Sequence, residues 1–147
     1  MADKNIKSSG LPIKSMLKRG EIKILVVEDD KFLRELLVGK IAREGYTVLE
    51  ATRGEEVLPM VGEHKPHIIL LDLVLPGADG FEVLGSLKAG SETATIPVII
   101  LSNLGAREDV DKALKLGAEE FMVKAHHTPQ EIIDTVRRTL EKHYVGQ

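Results

Sequence analysis

The sequence contains no cysteine and few aromatic residues. Without cysteine the chain can form no disulfide bond, no zinc site with thiolate ligands and no thiol nucleophile. Aromatic residues make up only 3% of the chain, so a platform of aromatic rings for stacking nucleic-acid bases is not expected. Any chemistry must therefore come from oxygen and nitrogen side chains.

Two further absences concern membranes and nucleic acids. No apolar run approaches the roughly 20 residues that a transmembrane helix needs, and the N-terminus lacks the apolar stretch of a secretory signal. We therefore expect a cytoplasmic protein that does not enter a membrane. The net charge of −3 gives no general attraction to nucleic acid, so direct DNA binding is not expected.

The length of 147 residues fits one compact domain preceded by a basic extension. Residues 1–20 carry five basic residues against one acidic residue, and serine, glycine and proline interrupt any periodicity. We predict a flexible N-terminal extension over residues 1–20 and a folded domain over residues 21–147. The extension is either a solvated tail or a basic docking arm, and its composition leaves both open.

Five short apolar segments alternate with helical patterns and predict strands. They are nearly continuous in valine, isoleucine and leucine, which is typical of parallel strands covered on both faces. The predicted strands are Ile22 to Val27, Thr47 to Glu50, His67 to Leu71, Ile96 to Leu101 and Glu120 to Val123.

The segments between the strands carry helical spacing and helix-end signals. Apolar residues recur at helical intervals in two of them: Leu33, Leu36, Leu37 and Ile41 in the first, and Ile133, Val136 and Leu140 in the last. Start signals are Thr52 with Glu55, Asp79 with Glu82, and Thr128 with Pro129 and Glu131; stop signals are Gly45 and Gly117. The predicted fold class is α/β, a (βα)5 doubly wound parallel sheet with helices on both faces.

Polar residues follow four of the predicted strands at their carboxyl ends, where ligands bind in open parallel sheets. These residues are Glu28, Asp29 and Asp30 after strand one, Asp72 after strand three, Ser102 after strand four and Lys124 after strand five. Paired carboxylates bind a hard cation such as Mg²⁺, which prefers oxygen ligands. With such a cation, an ammonium and a hydroxyl beside it, Asp72 is suited to accept a phosphoryl group.

Four segments resemble the signature segments of the response-regulator receiver family, in the family's order. They are Ile24 to Asp30, Leu71 to Gly80, Ile99 to Ser102 and Phe121 to Lys124, and the resemblance covers about Glu21 to Tyr144. It implies a flavodoxin-like sheet in the strand order 2-1-3-4-5. It also implies a two-component phosphorelay in which a histidine kinase or phosphotransfer protein phosphorylates Asp72 in the presence of Mg²⁺ or Mn²⁺.

The resemblance also assigns a role to each matching residue. It implies metal binding by Glu28, Asp29, Asp72 and the Val74 carbonyl, catalytic roles for Ser102 and Lys124 beside Asp72, and a conformational switch formed by Ser102 and Phe121. Asp30 aligns outside the metal pair and is therefore assigned as the cap of the first helix. The resemblance implies no enzyme activity beyond the chain's own phosphorylation and dephosphorylation.

Two positions depart from the family pattern. Ala125 follows the lysine where the family usually has a proline after a cis bond, so this peptide is expected to be trans with a rearranged loop, or strained. Asn103 follows Ser102 where the family has a very small residue, and its side chain is expected at the entrance to Asp72.

The predicted last helix ends near His143, which leaves too few residues for an output domain. Output is therefore expected through a downstream protein target, with a homodimer through helix four, strand five and helix five as a further expectation. Two alternatives stay open. One is an interaction module that is never phosphorylated; the other is a metal-dependent phosphohydrolase, which usually has a second acid where this chain has Val74.

Overall fold

One parallel sheet organises the part of the chain that the computed structural model describes, residues 17–145. Its strands are β1 (Lys23–Val27), β2 (Thr47–Ala51), β3 (Ile68–Leu71), β4 (Val98–Ser102) and β5 (Glu120–Val123). The helices are α1 (Lys31–Arg43), α2 (Val57–His64), α3 (Gly80–Ala89), α4 (Arg107–Leu116) and α5 (Pro129–Leu140). Short 3₁₀ turns lie at Arg19–Glu21, Gly54–Glu56 and Lys124–His126, and a π-helical turn lies at Glu141–Val145.

The strand order is β2-β1-β3-β4-β5, and all four pairings are parallel. This confirms the predicted doubly wound α/β fold and the order that the family resemblance implied. Each parallel pairing needs a helical crossover, so the carboxyl ends of the strands meet along one edge. β4 begins later than predicted and extends through Ser102, which places that residue within the sheet.

The sheet separates two apolar clusters, one on each face. The first contains Leu25 and Leu71 of the sheet together with buried residues of α2, α3 and α4. The second contains Ile24 and Leu70 together with buried residues of α1 and α5. Alternate residues of one strand thus enter opposite clusters, which explains why the strand segments are apolar throughout.

The predicted caps Asp30, Asp79 and Thr128 are confirmed at three helices, whereas Glu82 forms no capping box with Asp79 and the pairing predicted for Thr52 is wrong. The Asp30 side chain accepts from the Leu33 N–H (3.1 Å), and Asp79 accepts from the Phe81 N–H (3.0 Å). A reciprocal capping box joins Thr128 and Glu131 before α5, with Pro129 in the first turn. The expected pair of Thr52 with Glu55 does not form: the Thr52 N–H donates to Glu56 instead (2.8 Å), because a 3₁₀ turn precedes α2.

The last residues of the predicted extension contact the domain. Arg19 donates to the Glu44 carbonyl at the end of α1 (2.8 Å) and lies over the Tyr46 ring, 5.2 Å from its centroid. Residues 1–16 lie outside the described residues, so their predicted flexibility stays a prediction. Among residues 17–145 no helix combines the length and apolarity needed to span a membrane.

Two glycines of α3 give a matched test of the loop after β3. A Cβ added at Gly80 would lie 2.4 Å from the Leu73 Cα, whereas one added at Gly85 would meet nothing closer than 3.9 Å. We expect Gly80→Ala to lower the free energy of unfolding by about 1–3 kcal/mol, because backbone cannot yield to the added methyl group. Gly85→Ala is expected to be neutral or to add up to about 1 kcal/mol, since alanine favours a helix. Urea denaturation measures both, and equal destabilisation would contradict the close approach.

Candidate functional site

A cleft of about 290 Å³ opens at the carboxyl edge of the sheet. It receives residues from the ends of β1, β3, β4 and β5, the four strands whose ends were predicted to meet. The residues that line it are Glu28, Asp29, Asp30, Asp72, Val74, Asn103 and Lys124.

Asp72 follows β3 immediately, lines this cleft and is only 4% exposed. Its Oδ2 accepts a hydrogen bond from the Lys124 ammonium (2.8 Å), and its Oδ1 accepts from the Val74 N–H (3.1 Å). The carboxylate is therefore held at both oxygens and lines the cleft. It does not enter either apolar cluster.

Lys124 joins two acids that lie far apart in the sequence. Its Nζ lies 2.8 Å from Asp72 Oδ2 and 2.9 Å from Glu28 Oε1. Burial lowers the pKa of Lys124, but the hydrogen bond to Asp72 and the negative charges of Asp72 and Glu28 outweigh burial and leave that pKa raised. The lysine is therefore charged across the physiological range.

The peptide that follows Lys124 is trans, since residues 17–145 contain no cis peptide bond. A 3₁₀ turn over Lys124–His126 takes the chain from β5 toward α5. The replacement of the family's usual proline by Ala125 therefore leaves the lysine able to reach Asp72 through a trans loop.

Glu28 is the most buried acid of the site, at 1% exposed. Burial raises its pKa, against the opposing effect of the Lys124 ammonium. Its Oε2 accepts from the Asp30 N–H (3.0 Å). Its Oε1 has the Lys124 charge nearby but no aligned hydrogen bond, an arrangement that is costly for a buried oxygen unless a further partner binds.

Glu28, Asp29 and Asp72 together form an acidic cluster that fits a divalent cation. One carboxylate oxygen from each lies within 4.8 Å of the other two. Oxygens bound to one Mg²⁺ lie within about 4.2 Å of each other, because each bond is about 2.1 Å, so small side-chain shifts suffice. Three carboxylates against one ammonium leave excess negative charge, and the buried Glu28 Oε1 accepts no aligned hydrogen bond, although the Lys124 ammonium lies 2.9 Å away. Both features favour a bound cation at this oxygen-rich site.

Arg34 is a residue of the site's surroundings that sequence reasoning missed. Its NH1 donates to the Glu28 carbonyl (2.9 Å) and to the Asp29 carbonyl (3.4 Å), and its Nε donates to Glu50 on β2 (3.2 Å). The available signal was its spacing: it lies four residues after the cap Asp30, on the first turns of α1.

Ser102 and Phe121 lie beside the cleft rather than in its lining. Ser102 is fully buried at the end of β4, and its Oγ accepts a hydrogen bond from the Leu104 N–H (3.3 Å). Phe121 is half-buried and packs against the apolar cluster shared by α2, α3 and α4. Of the predicted site residues, five line the cleft: Glu28, Asp29, Asp72, Val74 and Lys124.

Asn103 also lines the cleft, as expected from its position after Ser102. Its side chain is exposed, so it borders the opening instead of closing off Asp72. The departure from a very small residue therefore changes the rim of the cleft and leaves Asp72 part of its lining.

Comparison with known families agrees with this geometry. The model of the response regulator receiver domain matches residues 24–137, which is most of the chain. The chain belongs to the response regulator receiver domain family. Receiver domains bind a divalent metal at an acidic site and interact with histidine kinases and downstream effectors.

Solved structures show the same fold. The signal receiver domain of a signal transduction histidine kinase from Syntrophus aciditrophicus is 30% identical, with 82% of this chain and 90% of that chain covered and a TM-score of 0.74. The phosphorylated cyanobacterial phytochrome response regulator RcpA is 26% identical, with 85% and 94% covered and a TM-score of 0.72. The Mn²⁺-bound form of response regulator Rcp1 is 24% identical, with 86% and 96% covered and a TM-score of 0.70, a likeness of fold alone.

The lysine bridge gives a prediction for stability in metal-free buffer. We expect Lys124→Met to lower the free energy of unfolding by about 3 kcal/mol at neutral pH, because two buried carboxylates lose their cation. The control Lys142→Met, which loses an exposed pair with Glu119, is expected to cost less than about 1 kcal/mol. Urea denaturation with a chelator present measures both.

This loss should shrink as the pH falls. The folded-state pKa of Glu28 is raised above its usual 4.5, so the folded chain binds this proton more readily, and stability is gained as the pH drops through that folded pKa toward 4.5. In Lys124→Met no ammonium opposes the rise in the pKa of Glu28. The free energy of unfolding of this variant therefore increases more on acidification than that of the wild type. If Lys124→Met lowers the free energy of unfolding by the same amount at neutral pH and at pH 4.5, the proposed link between Lys124 and the protonation of Glu28 is contradicted.

Proposed function

We propose that this receiver domain accepts a phosphoryl group on Asp72 from the phosphohistidine of a histidine kinase or phosphotransfer protein, and thereby switches a protein-interaction surface. The observation that carries the proposal is the contact of Lys124 with Asp72 and Glu28, two members of the acidic cluster. A buried carboxylate held by one ammonium beside two further acids is suited to phosphoryl transfer, which needs positioning and charge stabilisation more than covalent chemistry.

In the transfer step, a carboxylate oxygen of Asp72 attacks the phosphorus of the donor. The bond between phosphorus and the histidine nitrogen breaks, and the nitrogen leaves with the electron pair. Lys124 already lies 2.8 Å from Asp72 Oδ2, so its ammonium can neutralise a phosphoryl oxygen without a large movement. The Val74 N–H keeps Asp72 oriented toward the cleft.

Glu28, Asp29, Asp72 and the Val74 carbonyl are the proposed ligands of Mg²⁺ or Mn²⁺. Such an ion, when bound, neutralises charge on the carboxylates and on the incoming phosphoryl group. Buried Glu28 is already shared with Lys124, whereas Asp29 is exposed. Of the two acids Glu28 and Asp29, we therefore propose that Asp29 is the one that contacts the ion directly.

The proposed switch uses groups that are already close to the site. The Ser102 Oγ accepts from the Leu104 N–H, so its own proton is free to donate to a phosphoryl oxygen on Asp72. Inward movement of Ser102 would leave room for Phe121, which packs nearby and is aligned with Ile100 of β4. The new charge of about −1.5 to −2 would thus alter the face built from α4, β5 and α5.

The proposed partners are the phosphodonor protein and a downstream protein target in the cytoplasm. Turnover of a separate substrate is not part of the proposal, so the chain is not proposed to be an enzyme beyond its own phosphorylation and dephosphorylation. A homodimer through α4, β5 and α5 and the lack of direct DNA binding stay predictions.

The decisive experiment treats the protein with acetyl phosphate and Mg²⁺ and reads the intact mass. We expect one added phosphoryl group on the wild type and none on Asp72→Asn, because the amide is a poor nucleophile. Asp79→Asn is the matched control: it lies in the same loop, and asparagine caps a helix as well as aspartate does. It should be phosphorylated like the wild type.

Other outcomes separate the alternatives. An unmodified wild type that still captures a partner would favour the interaction module that is never phosphorylated. Continuous release of phosphate from an added phosphate ester would favour the phosphohydrolase. Phosphorylation of Asp72→Asn would contradict the assignment of the acceptor.

The metal ligands can be tested by one pair of neighbouring acids. Asp29→Asn should weaken Mn²⁺ binding at least about tenfold, since it removes a charged ligand. Asp30→Asn loses the same charge from the same cleft but keeps its role as the cap of α1, so its affinity should stay within about threefold of the wild type. Calorimetric titration with Mn²⁺ measures both. Equal losses in the two variants would indicate a general effect of charge instead of a ligand.

A further inference from the structure

We propose that Arg34 is a positioning residue for the metal-binding acids: it holds the backbone of the loop after β1 so that the Asp29 carboxylate faces the cation. The inference rests on the proposed function of the acidic cluster. It goes beyond that function by assigning metal affinity to a residue that lies outside the cleft lining.

Arg34 contacts the backbone carbonyls of Glu28 and Asp29 and not their carboxylates. NH1 donates to the carbonyl of Glu28 at 2.9 Å and to the carbonyl of Asp29 at 3.4 Å. A carbonyl belongs to the peptide plane that follows its residue. The two planes held by Arg34 are therefore those on either side of Asp29, so the arginine restrains both backbone dihedral angles of that residue.

This restraint matters most at Asp29 because its side chain is exposed. Glu28 is buried and held by Lys124 and by the Asp30 N–H, and Asp72 is held by Lys124 and by the Val74 N–H. Asp29 depends on its backbone for direction. A cation site needs its ligands fixed before binding, since ordering them on binding costs affinity.

The guanidinium is itself fixed from the opposite side. Its Nε donates to Glu50 on β2 at 3.2 Å, and the Arg34 side chain is only 15% exposed. Glu50 thus orients the planar guanidinium so that NH1 faces the loop after β1. A lysine carries the same charge but offers no rigid fork that could reach Glu50 and two carbonyls together.

An effect of charge alone makes the opposite prediction. A positive guanidinium near the acidic cluster repels a divalent cation, so its removal would strengthen metal binding. Positioning predicts that removal weakens binding. Arg34→Lys and Arg34→Gln separate the two, because lysine retains the charge whereas glutamine does not.

The test measures Mn²⁺ affinity by calorimetric titration or by the electron paramagnetic resonance signal of free Mn²⁺. Fluorescence of tryptophan cannot be used, since the chain has none. We expect about tenfold weaker binding in both Arg34→Lys and Arg34→Gln, the usual loss for an outer residue that orients ligands. Glu50→Gln should weaken binding in the same direction by a smaller factor. Arg43→Gln, an exposed change at the other end of α1, should leave the affinity unchanged.

A second readout distinguishes positioning from a purely structural role. In phosphorylation by acetyl phosphate, the Mg²⁺ concentration for half-maximal rate should rise about tenfold in Arg34→Lys. The rate at saturating Mg²⁺ should stay close to the wild type, because Asp72 and Lys124 are unchanged. Thermal unfolding with a chelator present should show the variants folded.

Different results would contradict the positioning role of Arg34 and the proposed function. Wild-type affinity in Arg34→Lys with tighter binding in Arg34→Gln would overturn positioning and leave only the effect of charge. A lower rate at saturating Mg²⁺ with unchanged metal affinity would overturn it as well. Failure of the wild type to bind Mn²⁺ or accept a phosphoryl group would instead defeat the proposed function on which the inference rests.

Discussion

The contact of the Lys124 ammonium with Asp72 and Glu28 is the interaction on which the site depends. It joins the ends of β1, β3 and β5 through one charge. Without it two nearly buried carboxylates would lie side by side uncompensated, and burial already raises the pKa of Glu28. The ammonium therefore offsets the negative charge of two nearly buried carboxylates at one edge of a parallel sheet.

The same contact leaves the acidic cluster incomplete as an electrostatic unit. One ammonium shared by Asp72 and Glu28 does not balance the three carboxylates, and the Glu28 Oε1 has no aligned hydrogen bond. Such a site is suited to bind a divalent cation, because the cation neutralises the excess negative charge of the carboxylates. The bound cation would then offset the negative charge of an incoming phosphoryl group.

Support for the cleft comes from backbone contacts as much as from side chains. The Val74 N–H holds Asp72, and the close approach of Gly80 to Leu73 shapes the loop after β3. Arg34 holds two carbonyls of the loop after β1. Loops at the end of a sheet need such restraints, since the strands determine where each loop begins but not where its side chains face.

The amino-acid pattern by itself determined most of the architecture. Unbroken apolar strands predict a sheet covered on both faces, and the acids, hydroxyl and lysine after Val27, Leu71, Leu101 and Val123 must then meet at one edge, because parallel strands all end there. The helix start at Thr128 could be read from local spacing, since a cap bonds within its own turn. Local chemistry and a single topology rule suffice for these features.

Only the tertiary structure decided which groups contact each other within that edge. The pairing of Lys124 with Glu28, the trans loop at Ala125 and the clamp of Arg34 and Glu50 on the β1 loop depend on distances between segments far apart in the chain. The pairing of Thr52 with Glu56 instead of Glu55 likewise depends on a 3₁₀ turn. Sequence spacing orders residues along an element, but contacts of about 3 Å between elements follow from packing, which no local pattern encodes.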